Sequence, residues 1–134
     1  MDNDLGKARS RTPKHLRFAR TCYRHMGGEM AVALHDKILS LGWLDGETYR
    51  LSTTGKQAFD RLGLSYPPPT KRRPLTCGCL DWSERRAHLG GPLGAALLTA
   101  FLQNGWVIRL ADSRELQLTP AGREQLRQHF GLTF

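Results

Sequence analysis

Cysteine and histidine occur together twice in this chain, as Cys22-x-x-His25 and as Cys79 and His88 with eight residues between them, each pair lying just ahead of a Gly-Gly step, Gly27-Gly28 and Gly90-Gly91. Two thiols and two imidazoles are the donors of a tetrahedral zinc site, if the two stretches meet face to face. A plainer reading fits the same residues. On a helix Cys-x-x-His places both side chains on one face, where a buried cysteine and a capping histidine sit equally well. The spacing of the second pair is not that of a zinc finger, and no Cys-x-x-Cys accompanies it; Cys77-Gly78-Cys79 adds a redox alternative. Nearby, Trp82, Arg85 and Arg86 offer paired guanidiniums beside an indole, which suit the carboxylate or phosphate of a small anionic effector. A core tryptophan flanked by surface arginines accounts for the same three residues.

The sequence holds no Gly-x-Ser-x-Gly elbow, phosphate loop, His-Glu-x-x-His or convincing acid pair, so it does not read as an enzyme. Cys22 with His25 as nucleophile and base lacks any visible oxyanion donor.

The elements that must position these residues come as two similar runs. Gly28, Leu34, Leu39, Gly42 and Trp43 align without a gap on Gly91, Leu97, Leu102, Gly105 and Trp106; beyond a hairpin, Tyr49 to Gly55 falls on Leu116 to Gly122 at an offset larger by four. This predicts an α+β protein of two tandem winged-helix-like modules arising from an internal duplication, each with two helices, a β-hairpin and a further helix. A basic arm covers 1–13, module one 14–64, a proline-rich basic linker 65–74 and module two 75–134.

Within module one, Leu16, Ala19, Tyr23 and Met26 predict a helix from Lys14 that ends at Gly27-Gly28 and turns Arg17, Arg20 and Arg24 outward. A second helix spans 29–40 with Met30, Leu34, Ile38 and Leu41 as its core stripe. Asp45-Gly46 suits a type I′ turn between Trp43-Leu44 and Thr48–Leu51, and Ser52 or Thr53 caps a short helix. In module two, Asp81 and Glu84 have the spacing of a capping box for a helix through Arg85, Arg86 and His88. Pro92 opens the next helix, Trp106–Leu110 and Glu115–Leu118 pair as strands, and Thr119-Pro120 starts the last helix.

The chain has 134 residues, 40% hydrophobic and 24% charged, enough for one domain or two very small ones. No apolar run approaches the length of a membrane span, which points to a cytoplasmic protein with no membrane partner. Three cysteines form no even framework, so reduced thiols are expected. A net charge of +8 favours a polyanionic partner, nucleic acid first.

The blocks RFARTCYRHMGGEMAVALHDKILSLGW and CLDWSERRAHLGGPLGAALLTAFLQNGW, with the Leu-Thr-Pro-Ala-Gly-Arg entry to the last helix, resemble the C-terminal half of ArsR-like bacterial helix-turn-helix (winged-helix) transcriptional regulators. The resemblance covers about Leu16 to Leu132 and implies transcription regulation. Members of that group usually carry an N-terminal winged helix that reads DNA, whereas only the thirteen-residue arm stands ahead of module one here. The chain therefore reads as the effector-sensing or dimerisation half of such a regulator, meeting DNA through a partner domain and binding a small anionic or metal effector, with a homodimer as its assembly. Direct DNA binding is the alternative, and a zinc-stabilised protein-interaction module the third reading. For direct binding, Ala95, Ala96, Thr99 and Ala100 on the outer side of the second module's helix leave only Gln103 and Asn104 to read a base. Lys71, Arg72, Arg73, Arg109, Arg114 and Arg123 in the flanks suit phosphate contact, with Arg85 and Arg86 beside them, so binding of that kind is weakly specific and salt-dependent.

Overall fold

The computed structural model describes residues 12–134, and the expected basic arm with Lys7, Arg9 and Arg11 lies outside them except for its last two residues. The described elements are α1 (Lys14–Phe18), β1 (Arg20–Cys22), β2 (His25–Gly27), α2 (Glu29–Ser40), α3 (Thr53–Arg61), β3 (Gly78–Leu80), β4 (Ala87–Leu89), α4 (Gly91–Gln103), β5 (Val107–Arg109), β6 (Leu116–Leu118) and α5 (Pro120–Phe130). The fold is α+β, and its strands pair as three antiparallel hairpins, β1–β2, β3–β4 and β5–β6.

The same local chemistry ends and restarts the helices in both halves. α2 and α4 each stop in a Schellman arrangement: Gly42 N–H donates to Leu39 O (3.0 Å) and Trp43 N–H to Ile38 O (3.1 Å), while Gly105 N–H donates to Leu102 O (3.1 Å) and Trp106 N–H to Phe101 O (2.9 Å). Gly42 and Gly105 hold φ of 75° and 70°, the left-handed geometry this stop requires. A hydroxyl then clamps the turn to the following helix. Ser52 Oγ donates to Gly42 O (2.6 Å) and accepts from Gly55 N–H (2.9 Å); Thr119 Oγ1 donates to Gly105 O (2.7 Å) and accepts from Gly122 N–H (2.9 Å). Gly55 and Gly122 lie so close to the carbonyls of Trp43 and Trp106 that a Cβ at either position clashes with backbone.

Packing crosses between the halves. β4 lies on α2 and β2 lies on α4, so each helix buries its apolar stripe against the other half's hairpin as well as its own neighbours. One continuous core includes Met30, Leu34 and Ile38 of α2, Phe59 of α3, Leu93, Leu97 and Phe101 of α4, and Leu126 and Phe130 of α5. Trp43 packs edge-to-face against Phe59 (5.3 Å between ring centres) and at a tilt against Phe130 (5.6 Å), joining the end of α2 to the last helix of the chain. Burial of these aromatic faces removes apolar area from water and favours the packing of the two halves.

Several local expectations are corrected. The helix predicted from Lys14 to Met26 stops at Phe18, and the chain continues as β1 and β2. The β5–β6 hairpin captures it: Thr21 N–H donates to Arg114 O (2.8 Å) and Leu116 N–H donates to Ala19 O (3.1 Å), bonds a helix in this position does not allow. Arg20, expected on the outside, is 1% exposed. The helix predicted through Arg85, Arg86 and His88 is the turn and second strand of the β3–β4 hairpin. Its cap begins to form, with Asp81 Oδ1 accepting from Ser83 N–H (3.0 Å) and Glu84 N–H (3.1 Å), but Arg85 turns to φ 58° and Asp81 N–H closes the hairpin on Arg86 O (2.8 Å).

Asp45-Gly46 is not a type I′ turn, because the positive φ falls on Tyr49 (59°) instead and Asp45 Oδ1 accepts from the N–H groups of Glu47 (2.9 Å) and Thr48 (2.8 Å). Only Leu44 and Leu51 pair across it. Leu41, expected in the core, is 42% exposed at the end of α2. Ala96 and Ala100, expected on the outer side of α4, are buried.

Candidate functional site

β1 and β2 place Cys22 directly opposite His25 across a two-residue turn, and β3 and β4 place Cys79 directly opposite His88 across a longer loop. Side chains opposite one another on a pair of strands share a face. The two Cys/His pairs are thus the same structural position in two hairpins, and the difference in their sequence spacing is only a difference in loop length. Cys-x-x-His stands on a hairpin here, not on the helix that the sequence pattern suggested.

The two hairpins meet at these positions. One ligand atom each from Cys22, His25, Cys79 and His88 lies within 4.8 Å of all the others. His25 Nε2 and His88 Nε2 are 3.0 Å apart, and the imidazole of His88 is fully buried. Cys77, by contrast, is exposed. Thiol and imidazole are the donors that tetrahedral, thiophilic cations prefer. Burial, and then His88 beside it, lowers the His25 pKa to about 4, so its imidazole is a neutral donor at neutral pH. Burial first, then Cys22, pushes the Cys79 thiol up to about 11.

Asp81 supports the cluster from behind. Its Oδ2 is 2.8 Å from His88 Nδ1 and accepts from Gly28 N–H (2.6 Å), while Oδ1 accepts from Arg20 Nη2 (2.8 Å) and Ser83 Oγ (2.9 Å). Burial raises this carboxyl, but the hydrogen bonds from His88, Gly28, Arg20 and Ser83 outweigh it and hold the group well below the usual carboxylate range. The bond at Nδ1 fixes the ring of His88 so that Nε2 faces His25. Arg20 also donates from Nη1 to Ser83 Oγ (2.9 Å), and its guanidinium lies 3.8 Å from the centre of the Trp82 ring.

Neither Arg20 nor Asp81 stood out in the sequence as a site residue. Arg20 fitted an outward helix face and Asp81 a helix cap; the one usable signal was an acidic residue two positions after a cysteine and seven before a histidine.

Of the residues considered for an anionic effector, Trp82 is half-exposed, but its ring is covered by Arg20, while Arg86 forms an ion pair with Asp36 of α2 and Arg85 points to solvent. The structure does not bring those three together as a pocket. Lys71, Arg72, Arg73, Arg109, Arg114 and Arg123 are all exposed; Arg114 also donates to Thr21 O (3.1 Å) and Arg123 to Phe134 O (2.8 Å). No described helix is long and apolar enough to cross a membrane.

No family model matches the chain, and no solved structure matches it. The chain is similar to an uncharacterized HTH-type transcriptional regulator, YdfF, of Bacillus subtilis (strain 168), with 34% identity over 126 residues that make up 92% of this chain and 56% of the relative. It is therefore a relative of a transcriptional regulator, and that relative is not an enzyme. The chain spans little more than half of that protein's length.

Proposed function

We propose that this chain is the regulatory region of an ArsR-like bacterial helix-turn-helix transcriptional regulator, acting in the cytoplasm by sensing an effector or by dimerisation rather than by reading bases. The observation that carries this reading is how α2 and α4 are used. The likeness to an HTH-type regulator runs along nearly the whole chain, yet along α2 only Ser40 is exposed, and along α4 only Gly91, Thr99 and Gln103 are, with the remaining residues buried or half-buried. A recognition helix must present several polar side chains to the major groove. These two helices instead spend their surfaces on the core and on each other's hairpins.

The recurrence of the Gly-Trp stop, the hydroxyl clamp and the Cys/His hairpin in both halves supports an origin by duplication of one module. Direct DNA contact remains the second reading, favoured by the exposed basic run Lys71–Arg73 and by the exposed cations Arg109, Arg114 and Arg123.

Fluorescence anisotropy of the chain with its own upstream DNA and with a scrambled duplex, at low and physiological salt, separates the two. The regulatory reading predicts either no binding or equal binding to both duplexes that disappears as salt rises. A preference for the upstream DNA that persists at physiological salt overturns it in favour of direct binding.

A further inference from the structure

We infer that Cys22, His25, Cys79 and His88 form a closed tetrahedral binding site for a zinc-class divalent cation, held between the two hairpins and tuned by Asp81 through His88. This does not depend on the regulatory reading: a structural zinc site is compatible with a DNA-binding or an interaction module equally well.

Convergence is the first support. Four donors from two hairpins, with His25 and His88 separated by 63 residues in sequence, come within 4.8 Å of one another. A zinc ion at ordinary bond lengths sets its four donors roughly 3.3–3.8 Å apart, from Zn–N of about 2.0 Å and Zn–S of about 2.3 Å. Reaching that shell takes shifts of about an ångström or less, within what side-chain rotation on short strands provides.

The second support is the surroundings of the cluster. A metal-bound histidine typically gives its other ring nitrogen to a carboxylate, and Asp81 stands at His88 Nδ1 (2.8 Å). Asp81 is itself fully buried, and its charge is met by Arg20. With both cysteines as thiolates, a divalent ion makes the inner shell neutral, and the Asp81–Arg20 pair behind it is neutral as well. A charged arrangement in this buried place is costly, and this one leaves no net charge. Two thiolates with two imidazoles select zinc over hard cations such as magnesium or calcium.

The third support is symmetry of supply. Each hairpin gives one thiol and one imidazole from directly paired positions, so neither hairpin holds the ion alone and the ion ties the halves of the core together. Four protein donors fill a tetrahedron, which leaves no coordination position for a substrate and makes the centre structural or allosteric rather than catalytic.

The test is a titration of the metal-stripped full chain with Co²⁺, followed by absorption. The expected result is saturation at one ion per chain, with strong visible bands of tetrahedral cobalt and near-ultraviolet thiolate-to-cobalt bands, and bleaching on addition of equimolar Zn²⁺. Weak octahedral bands without a thiolate contribution overturn the proposal, and this needs no variant to fold. Cys79→Ser should weaken the thiolate bands and the affinity, whereas Cys77→Ser should leave both unchanged; an altered spectrum in Cys77→Ser overturns the assignment of the ligands. Asp81→Asn, if its circular dichroism is native, should keep the tetrahedral bands while losing about 10- to 100-fold in affinity.

Discussion

Arg20 of β1 and Asp81 of the β3–β4 loop form an ion pair, 2.8 Å between Nη2 and Oδ1, with side chains 1% and 0% exposed. The pair joins the two halves of the chain at the back of the Cys/His cluster, and its carboxylate also accepts from Gly28 N–H at the start of α2. Buried ions without partners are costly, so each member requires the other.

Arg20→Ala and Asp81→Ala should therefore each lower the unfolding free energy by about 3–5 kcal/mol. The double variant should lose less than the sum of the two, by roughly 0.5–3 kcal/mol, because the second change removes a charge already stranded by the first. Urea denaturation of the four proteins measures the cycle, and strict additivity would contradict the coupling.

Metal removal should soften the fold. Zinc at about 100-fold excess over its dissociation constant should stabilise the native state by roughly 2.7 kcal/mol, so the melting temperature should rise with zinc and fall on chelation. Differential scanning fluorimetry of the wild-type chain, Cys22→Ser and Cys77→Ser reads this directly. The response should be reduced in Cys22→Ser, which keeps three of the four donors, and persist undiminished in Cys77→Ser.

Gly55→Ala and Gly122→Ala should each cost about 1–3 kcal/mol, since a methyl at either position runs into the carbonyl of Trp43 or Trp106. Gly46→Ala provides the control. Nothing lies within 4 Å of a Cβ there, and Gly46 does not hold a positive φ, so its effect should stay within about 0.5 kcal/mol. Thermal denaturation of the three variants compares them, and equal stability for Gly122→Ala and Gly46→Ala would show that the close approach is not a constraint.

Tyr49→Phe removes the hydroxyl that lies 2.7 Å from His35 Nε2, a buried histidine on α2. Losing that partner should cost about 1–3 kcal/mol in equilibrium unfolding. The same hydroxyl stands against Gly78 at the start of β3, so amide exchange in β3 should rise along with the loss of stability.

What the sequence by itself determined is local. α2 was legible from one end to the other, and so were the Gly-Trp stops, the Thr119 cap and the β5–β6 hairpin, because each rests on hydrogen bonds between residues a few positions apart or on an apolar repeat carried within one element, while the first cap was narrowed to Ser52 or Thr53 and the structure selects Ser52. The recurrence of Cys, His, Gly and Trp in matching order was visible in the same way. Only the tertiary structure decided where Arg20 and Asp81 belong, that each Cys/His pair stands across a hairpin, and that the two pairs converge. A buried arginine and a solvent-facing one look alike along a chain, and Asp81 carries a helix-cap pattern that its surroundings put to another use. The stretch from Ala19 to Cys22 has helical periodicity, but the β5–β6 hairpin supplies backbone partners almost a hundred residues away, with Thr21 N–H donating to Arg114 O and Leu116 N–H to Ala19 O. Those long-range bonds and the burial they allow outweigh a weak helical preference, and they set the four donors of the Cys/His cluster facing one another.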